Sequence, residues 1–245
     1  CIRDRPALER YAIYDSYACR KGKGAVRAME RCRSFSRKNR WYLKLDIRRY
    51  FDSIDHRVML RLLYRRFKDK DLSHLFERLL DTYQTIPGKG LPIGNLISQH
   101  LANYYLGCLD HWTKETLLVR YYLRYMDDFI LFAERRQKLK QRLGEIQDFL
   151  ENHLRLRLKD NIQQNRCRYG IPFLGFRVYP YVIRLGVRGK KRFKENFRRY
   201  EKKFLTGQWT ETELIRHVEP LLGFTFVASS KSYRKYVIQE YGILS

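Results

Sequence analysis

Apolar and polar positions alternate between residues 41 and 47 (WYLKLDI), which predicts a β-strand running into an aspartate, Asp46. Asp52-Ser53 offers a helix cap, and Val58, Leu60, Leu62 and Leu63 mark an amphipathic helix beyond it. A second helix follows over about 72–84, and Pro87-Gly88-Lys89-Gly90 makes a turn. Most of the next segment, LPIGNLISQHLANYYLGCLDHW, reads as a buried helix. Two apolar stretches, LLVRYYLRY and FILFA, flank the acids of YMDD and predict a β-hairpin with Asp127 and Asp128 at its tip. A helix over 137–153, an alternating stretch at Leu154, Leu156 and Leu158, and a strand pair at 173–178 and 181–186 come next. From Gly189 onward the pattern is basic and helical, with Phe193, Phe197, Tyr200 and Phe204 spaced by four, three and four residues. That spacing lays the rings along one stripe and assigns them to a core rather than to base stacking. Residues 1–40 are irregular apart from a Gly-Lys-Gly turn at 22–24 and a helix through Val26, Met29 and Cys32. The fold class is α/β (α+β), with no internal repeat or low-complexity linker.

Composition narrows the partners. A chain of 245 residues with 44% hydrophobic content builds one compact core plus a smaller unit, which excludes a disordered protein. The 51 Lys and Arg against 26 Asp and Glu leave a formal charge of +25, and such a surface implies a polyanion. Nucleic acid comes ahead of an anionic membrane, because 19 tyrosines interleave with the cations and rings stack on bases. No apolar run approaches the ~18 residues of a membrane span. The five cysteines (Cys1, Cys19, Cys32, Cys108, Cys167) are odd in number and lack metal-site spacing, which favours a reducing, cytoplasmic setting. The histidines show no ligand spacing either, and His56 reads as polar surface at a helix end. The chain opens on Cys and carries no signal peptide, so it is expected to be a piece of a longer protein.

Asp46 and Asp127 lie 81 residues apart, each at a strand end. Two aspartates at a turn are ordinary turn chemistry taken alone. Apolar strands on both sides and an Asp-terminated strand upstream point instead to carboxylates brought together. Such groups repel and need a cation, and Mg²⁺ takes hard oxygen ligands while leaving positions for phosphate and water. Two Mg²⁺ ions ~3.5–4 Å apart, with Mn²⁺ able to substitute, would clamp the oxygens of an in-line phosphoryl displacement. In this reading Asp46 and Asp127 bridge both ions, the Ile47 carbonyl completes the nucleotide-side ion, and Asp128 supports the primer-side one or its neighbours.

The segments LDIRRYFDSID, LPIGNLISQ and YMDD resemble motifs A, B and C of the reverse transcriptases. IPFLGFRV resembles the primer-grip segment and YACRKGKGAVRAM the second fingers motif, in matching order over about residues 14–186. The resemblance implies a right-hand polymerase: partial fingers over 1–40, palm over 41–187, and a helical basic thumb over 188–245. It implies a nucleotidyltransferase that adds dNTPs to a DNA or RNA primer on an RNA template. Phe51, five residues after Asp46, takes the place of the steric gate against a ribose 2′-OH, and Gly94 gives the chain room beside the incoming base. Ser98 and Gln99 are placed at the template backbone, and Lys159 near the pyrophosphate leaving group. Phe173, Leu174 and Gly175 fall in the primer grip. Arg20, Lys21 and Lys23 are candidates for template or phosphate contact, and Lys190, Lys191 and Arg192 for a grip on the template–primer duplex.

Motif B departs from the common pattern, with Ile93 and Gln99 where most of the family carries Gln and Pro. IGNLISQ and the closing YGILS resemble the reverse transcriptases of diversity-generating retroelements, which copy a template-repeat RNA and misincorporate opposite adenines. A β-branched apolar group at Ile93 in place of an amide would weaken geometric checking of the nascent pair; the blander expectation is that Ile93 packs under the hairpin. That subfamily implies a bacterial, archaeal or phage origin and a small, basic, helical accessory protein. A group II intron-type or phage-defence reverse transcriptase is the alternative, as is a non-catalytic nucleic-acid-binding palm. The family's first fingers hairpin should precede residue 1, so this chain is expected to keep the metal site and polymerise poorly alone.

Overall fold

A computed structural model describes residues 5–242; Cys1 and residues 243–245, the end of the YGILS segment, lie outside them. The chain divides into two compact units, one made of residues up to Arg31 with Lys38–Arg166, the other of Cys32–Arg37 with the residues from Cys167 on.

In the first unit, β1 (Trp41–Asp46) forms where the alternation predicts it, between β3 (Asp128–Ala133) and β4 (Gln163–Arg166). With β2 (Tyr122–Tyr125) they make an antiparallel sheet in the order β2-β3-β1-β4. The register pairs Leu43 with Leu131, Leu45 with Phe129 and Asp46 with Asp128. Directly paired residues point to the same face. Leu43, Leu45, Phe129, Leu131 and Ala133 therefore enter the core, while Lys44, Asp46 and Asp128 share the opposite face. The core is closed by α4 (His56–Arg66), α6 (Leu96–His111) and α7 (Arg136–Leu154), through residues such as Met59, Leu101, Leu106, Ile146 and Leu150. Helices α1 (Arg5–Tyr11), α3 (Tyr50–Ser53) and α5 (Lys70–Asp81) and the start of α2 (Ala25–Lys38) complete this unit.

Three local expectations change, and one strand is new. Asp52 and Ser53 lie inside the short α3; the cap of α4 is Asp55, whose carboxylate accepts from the Val58 N–H at 3.0 Å. His56 is buried rather than surface, because its Nε2 is 2.7 Å from the Gly90 carbonyl and the turn at 87–90 folds over it. The stretch at 154–158 forms no strand beyond a single bridge from Leu158 to Ile47, since Leu154 still belongs to α7 and Arg155 turns left-handed at φ 51°. The edge strand β4 reads QQNR, and a strand paired on one side only needs no apolar alternation.

Asp55 also receives Arg155 Nη1 at 2.9 Å. Burial works to raise its pKa, but the Val58 N–H and Arg155 outweigh it and hold the carboxyl below the ordinary value. A depressed folded-state pKa stabilises above the unfolded value and is lost as pH falls through the folded one. Asp55→Ala is accordingly expected to cost about 1–2 kcal/mol in urea melts at pH 7, the range for a lost cap, with the difference from wild type shrinking below pH ~4.

In the second unit, β5 (Ile171–Phe173), β6 (Phe176–Val178) and β7 (Ile183–Leu185) form a meander. Leu174 and Gly175, both at positive φ, make a two-residue turn that splits the expected strand 173–178. The Gly175 carbonyl lies 2.8 Å and 2.6 Å from where side chains on Gly186 and Gly189 would begin, so only glycine lets α8 (Val187–Leu205) start there. Helices α8, α9 (Glu211–Phe226) and α10 (Lys231–Tyr241) enclose Phe193, Phe197, Leu221 and Val237, with Tyr200 packed against them. Phe193, Phe197 and Tyr200 of the aromatic stripe thus belong to this core, as their spacing predicts, while Phe204 is half-buried outside it.

Candidate active site

The antiparallel register sets Asp46 directly across from Asp128, and Met126-Asp127 form the two-residue connection between β2 and β3. Met126 takes φ 56°, the left-handed form that such tight connections require. The three carboxylates therefore gather at one end of the sheet, as the hairpin pattern implies, but each has its own environment. Asp46 Oδ1 is 2.8 Å from Lys159 Nζ, and the Lys159 N–H donates to the Asp46 carbonyl at 2.8 Å. Asp128 Oδ2 is 2.9 Å from Lys44 Nζ. Its Oδ1 is buried and finds no hydrogen-bond partner among the described residues. Burial pushes the Asp128 carboxyl up to about 7, against the pull of Lys44. Asp127 is raised too, first by burial and then by the negative charge of Asp46.

Lys44 is the site residue that the sequence reading missed. The signal was there: it stands two positions before Asp46 on an alternating strand and so shares its face. Lys159, placed by resemblance, does come to the site through the bridge between Ile47 and Leu158. The two hydrogen bonds around that bridge, Lys159 N–H to Asp46 and Arg48 N–H to Arg157, bypass the Ile47 carbonyl.

Among the described residues no group of three or more His, Cys, Asp or Glu closes around a common point. Asp128 is turned to Lys44 and Asp46 to Lys159, yet Asp127 is raised by the charge of Asp46, and Asp128 by the charges of Asp46 and Asp127. Two hard carboxylates whose charges disfavour each other fit a divalent cation.

Phe51 is half-buried at the edge of the core, its ring edge-on to Tyr50 with centroids 5.7 Å apart. Its carbonyl accepts the Leu91 N–H at 2.9 Å, which ties the segment after Asp46 to the loop before α6. In that loop Ile93 is 76% exposed, so it packs beneath nothing. Gly94 has φ 94°, a backbone form that side chains resist, with open space where a Cβ would stand. Asn95 caps α6 by accepting the Ile97 N–H at 3.2 Å.

Several expected nucleic-acid contacts are altered by burial. Ser98 is fully buried because it faces the core side of α6, and its side chain reaches no template. Gln99 is half-buried and accepts from Cys19 Sγ at 3.0 Å. Arg20 spends Nη1 on the Ile13 and Ser16 carbonyls at 2.6 and 2.7 Å, holding its own loop. Lys23 donates to the Tyr14 carbonyl at 2.8 Å, whereas Lys21 is exposed. In the second unit Phe173 is buried, while Leu174 and Gly175 form the turn beside it. Lys190, Lys191 and Arg192 are exposed on the first turns of α8.

The chain belongs to the reverse transcriptase (RNA-dependent DNA polymerase) family, whose pattern matches residues 6–178. Among curated proteins it is 28% identical over 109 residues to the COX1/OXI3 intron 2 protein of Saccharomyces cerevisiae. It is 30% identical over 108 residues to the intron 1 protein of the same yeast. Each match covers 41% of this chain and 13% of the yeast protein. Protein YkfC of Escherichia coli is 26% identical over 188 residues, which are 61% of this chain and 49% of YkfC. The chain thus spans less than half the length of these relatives.

The fold is shared with solved telomerases. That of Candida albicans, determined with a fragment of telomeric RNA, superposes with a TM-score of 0.59 at 11% identity over 96% of this chain and 46% of the telomerase. Apo telomerase of Candida tropicalis gives 0.59 at 13% identity over 97% and 50%. The likeness establishes the polymerase palm fold. Among the described residues no helix is long and apolar enough to cross a membrane.

Proposed function

We propose that the chain is the catalytic part of an RNA-directed DNA polymerase that adds dNTPs to a DNA or RNA primer on an RNA template. The observation that carries this reading is the register that sets Asp46 across from Asp128, with Asp127 in the turn between the strands. Asp46 and Asp127, with the Ile47 carbonyl, would hold Mg²⁺, or Mn²⁺ in its place, and Asp128 steadies them from the Lys44 side. The bound ions supply charge neutralisation for an in-line displacement at phosphorus.

The other roles belong to the chain's own groups. The Phe51 ring bars a ribose 2′-OH, and the open backbone at Gly94 leaves room for the nascent base pair. Lys159 brings a cation to the departing pyrophosphate. Lys21 meets phosphate from the fingers, residues 1–40. The Leu174-Gly175 turn touches the primer at the end of the palm, residues 41–187. Lys190, Lys191 and Arg192 grip the duplex from the thumb, residues 188–245. Primer extension on an RNA template with dNTPs and Mg²⁺ tests the reading. Extension by the chain, or by a longer protein containing it, is expected; its absence in both overturns the proposal.

The exposed Ile93 beside Gly94 favours the error-prone enzyme of a diversity-generating retroelement, in a bacterial, archaeal or phage cytoplasm and assisted by a small, basic, helical protein. An amide at this position restores a hydrogen bond near the nascent pair, so Ile93→Gln is expected to lower misincorporation opposite template adenine about 10-fold. Sequenced extension products read this directly, and an unchanged error spectrum sinks the subtype. A group II intron-type enzyme is the second reading, supported by the matches to the yeast intron proteins. It predicts accurate copying at adenines in the wild type.

A further inference from the structure

Arg124 stands where the alternation of β2 calls for an apolar residue. It pairs with Phe129 and Tyr122 pairs with Leu131, so both face the core, and the Arg124 side chain is fully buried. Taking a guanidinium out of water is costly unless each of its five N–H groups finds an acceptor. All five do. Nε and Nη2 grip the two oxygens of Asp110 at 2.8 and 2.7 Å. Nη2 also donates to the Asn103 carbonyl at 3.2 Å. Nη1 donates to Asn103 Oδ1 at 3.1 Å and to the Met126 carbonyl at 2.8 Å. The Tyr122 hydroxyl donates to the same Asp110 at 2.6 Å.

This cluster joins three parts of the unit. Asn103 and Asp110 lie seven residues apart on α6, two turns along one face. Asn103 Nδ2 donates to the Ala18 carbonyl at 2.9 Å, and the Arg124 backbone bonds to Asp15 and Tyr17 at 3.0 and 2.9 Å. The loop that carries Ile93 and Gly94 leads into the same α6.

Stability alone is a poor reason for a buried ion pair, because apolar residues of similar volume usually replace one at no loss. An apolar pair cannot donate to the Met126 carbonyl, however. That carbonyl belongs to the peptide plane that ends at the Asp127 Cα. Met126 is left-handed there, a backbone form that a side chain disfavours and that the surroundings must hold.

We infer that Arg124 is a positioning residue: by holding the Met126 carbonyl from the core side of the sheet, it sets the direction in which Asp127 presents its carboxylate. The inference rests on the proposed polymerase role of Asp127. Arg124 itself touches neither substrate nor the reacting atoms. Through Asp110 and Asn103 the same guanidinium locks the carboxylate turn to the helix that carries the Ile93 loop, so the two are set together.

The test is the double variant Arg124→Met/Asp110→Leu in the full chain, which removes both charges at once. Its melting temperature is expected to match or exceed that of the wild type. In single-nucleotide extension, kcat is expected to fall about 100-fold, the scale of a small misplacement of a reacting group, with KM for dNTP unchanged. Hydrogen exchange at residues 126–128 is expected to accelerate about 10-fold or more without metal, while the centres of β1 and β3 stay protected. A folded double variant with wild-type kcat overturns the inference, as does a loss that falls on KM instead.

Should the double variant not fold, Arg124→Lys is read in the same way. An ammonium keeps the charge beside Asp110 but cannot span both Asp110 and the Met126 carbonyl. A wild-type kcat in that variant is equally fatal. If neither the wild-type chain nor a longer protein containing it extends a primer, the polymerase reading is overturned, and exchange then decides the positioning alone: unchanged protection of the turn overturns it.

Discussion

Asp127→Ala is expected to lower the rate of dNTP addition by about 10³-fold or more, because several kcal/mol of charge stabilisation depend on the ion that this carboxylate would hold. The fold should survive. Asp127 lies in the connection between two strands, outside the ladder that pairs them. Its carboxyl is raised by burial and by Asp46, so the folded protein holds the ionised form at a cost. Alanine removes that cost, and the melting temperature is expected to hold or rise, as is common where a site is built for chemistry rather than stability. Single-turnover extension and thermal melts of the same preparation separate the two effects. Extension at the wild-type rate by Asp127→Ala would show that the site has been placed wrongly.

Phe51→Ala is expected to change selectivity rather than rate. The ring is held edge-on by Tyr50 and its backbone by Leu91, so it is a fixed wall rather than a mobile side chain. Forcing a 2′-hydroxyl against such a wall carries an overpacking cost that corresponds to as much as about 100-fold in relative rate. The ratio of kcat/KM for a dNTP over the matching rNTP should therefore fall by about 100-fold. Extension with dNTPs should stay near wild type. A ratio that does not move would return Phe51 to the role of an ordinary core-edge aromatic.

The hairpin, the strand ending at Asp46 and the aromatic stripe of α8 were legible because each follows a local period, two for strands and 3.6 for helices. The edge strand β4 was not legible, because its sequence QQNR is polar throughout and its half-exposed positions leave no apolar signature. Nor was the capping role of Asp55, since Asp52-Ser53 is an equally good local cap and only the short α3 decides between them. Ser98 and Phe173 were assigned contacts from their place in a motif, but burial depends on which helix face or sheet side meets the core.

By itself the sequence determined the periodic elements, the aspartates at the strand ends, the basic surface and the family. Tertiary structure alone decided how the carboxylates are divided. Lys44 pairs with Asp128, Lys159 meets Asp46, and Asp127 has the charge of Asp46 beside it. It also decided that Arg124 lies under the sheet with Asp110. The physical reason is the same in each case. A local period says which side of a strand a residue takes, but cross-strand register and helix placement decide what waits there. An ion pair between residues far apart in the chain leaves no mark on either one's neighbours.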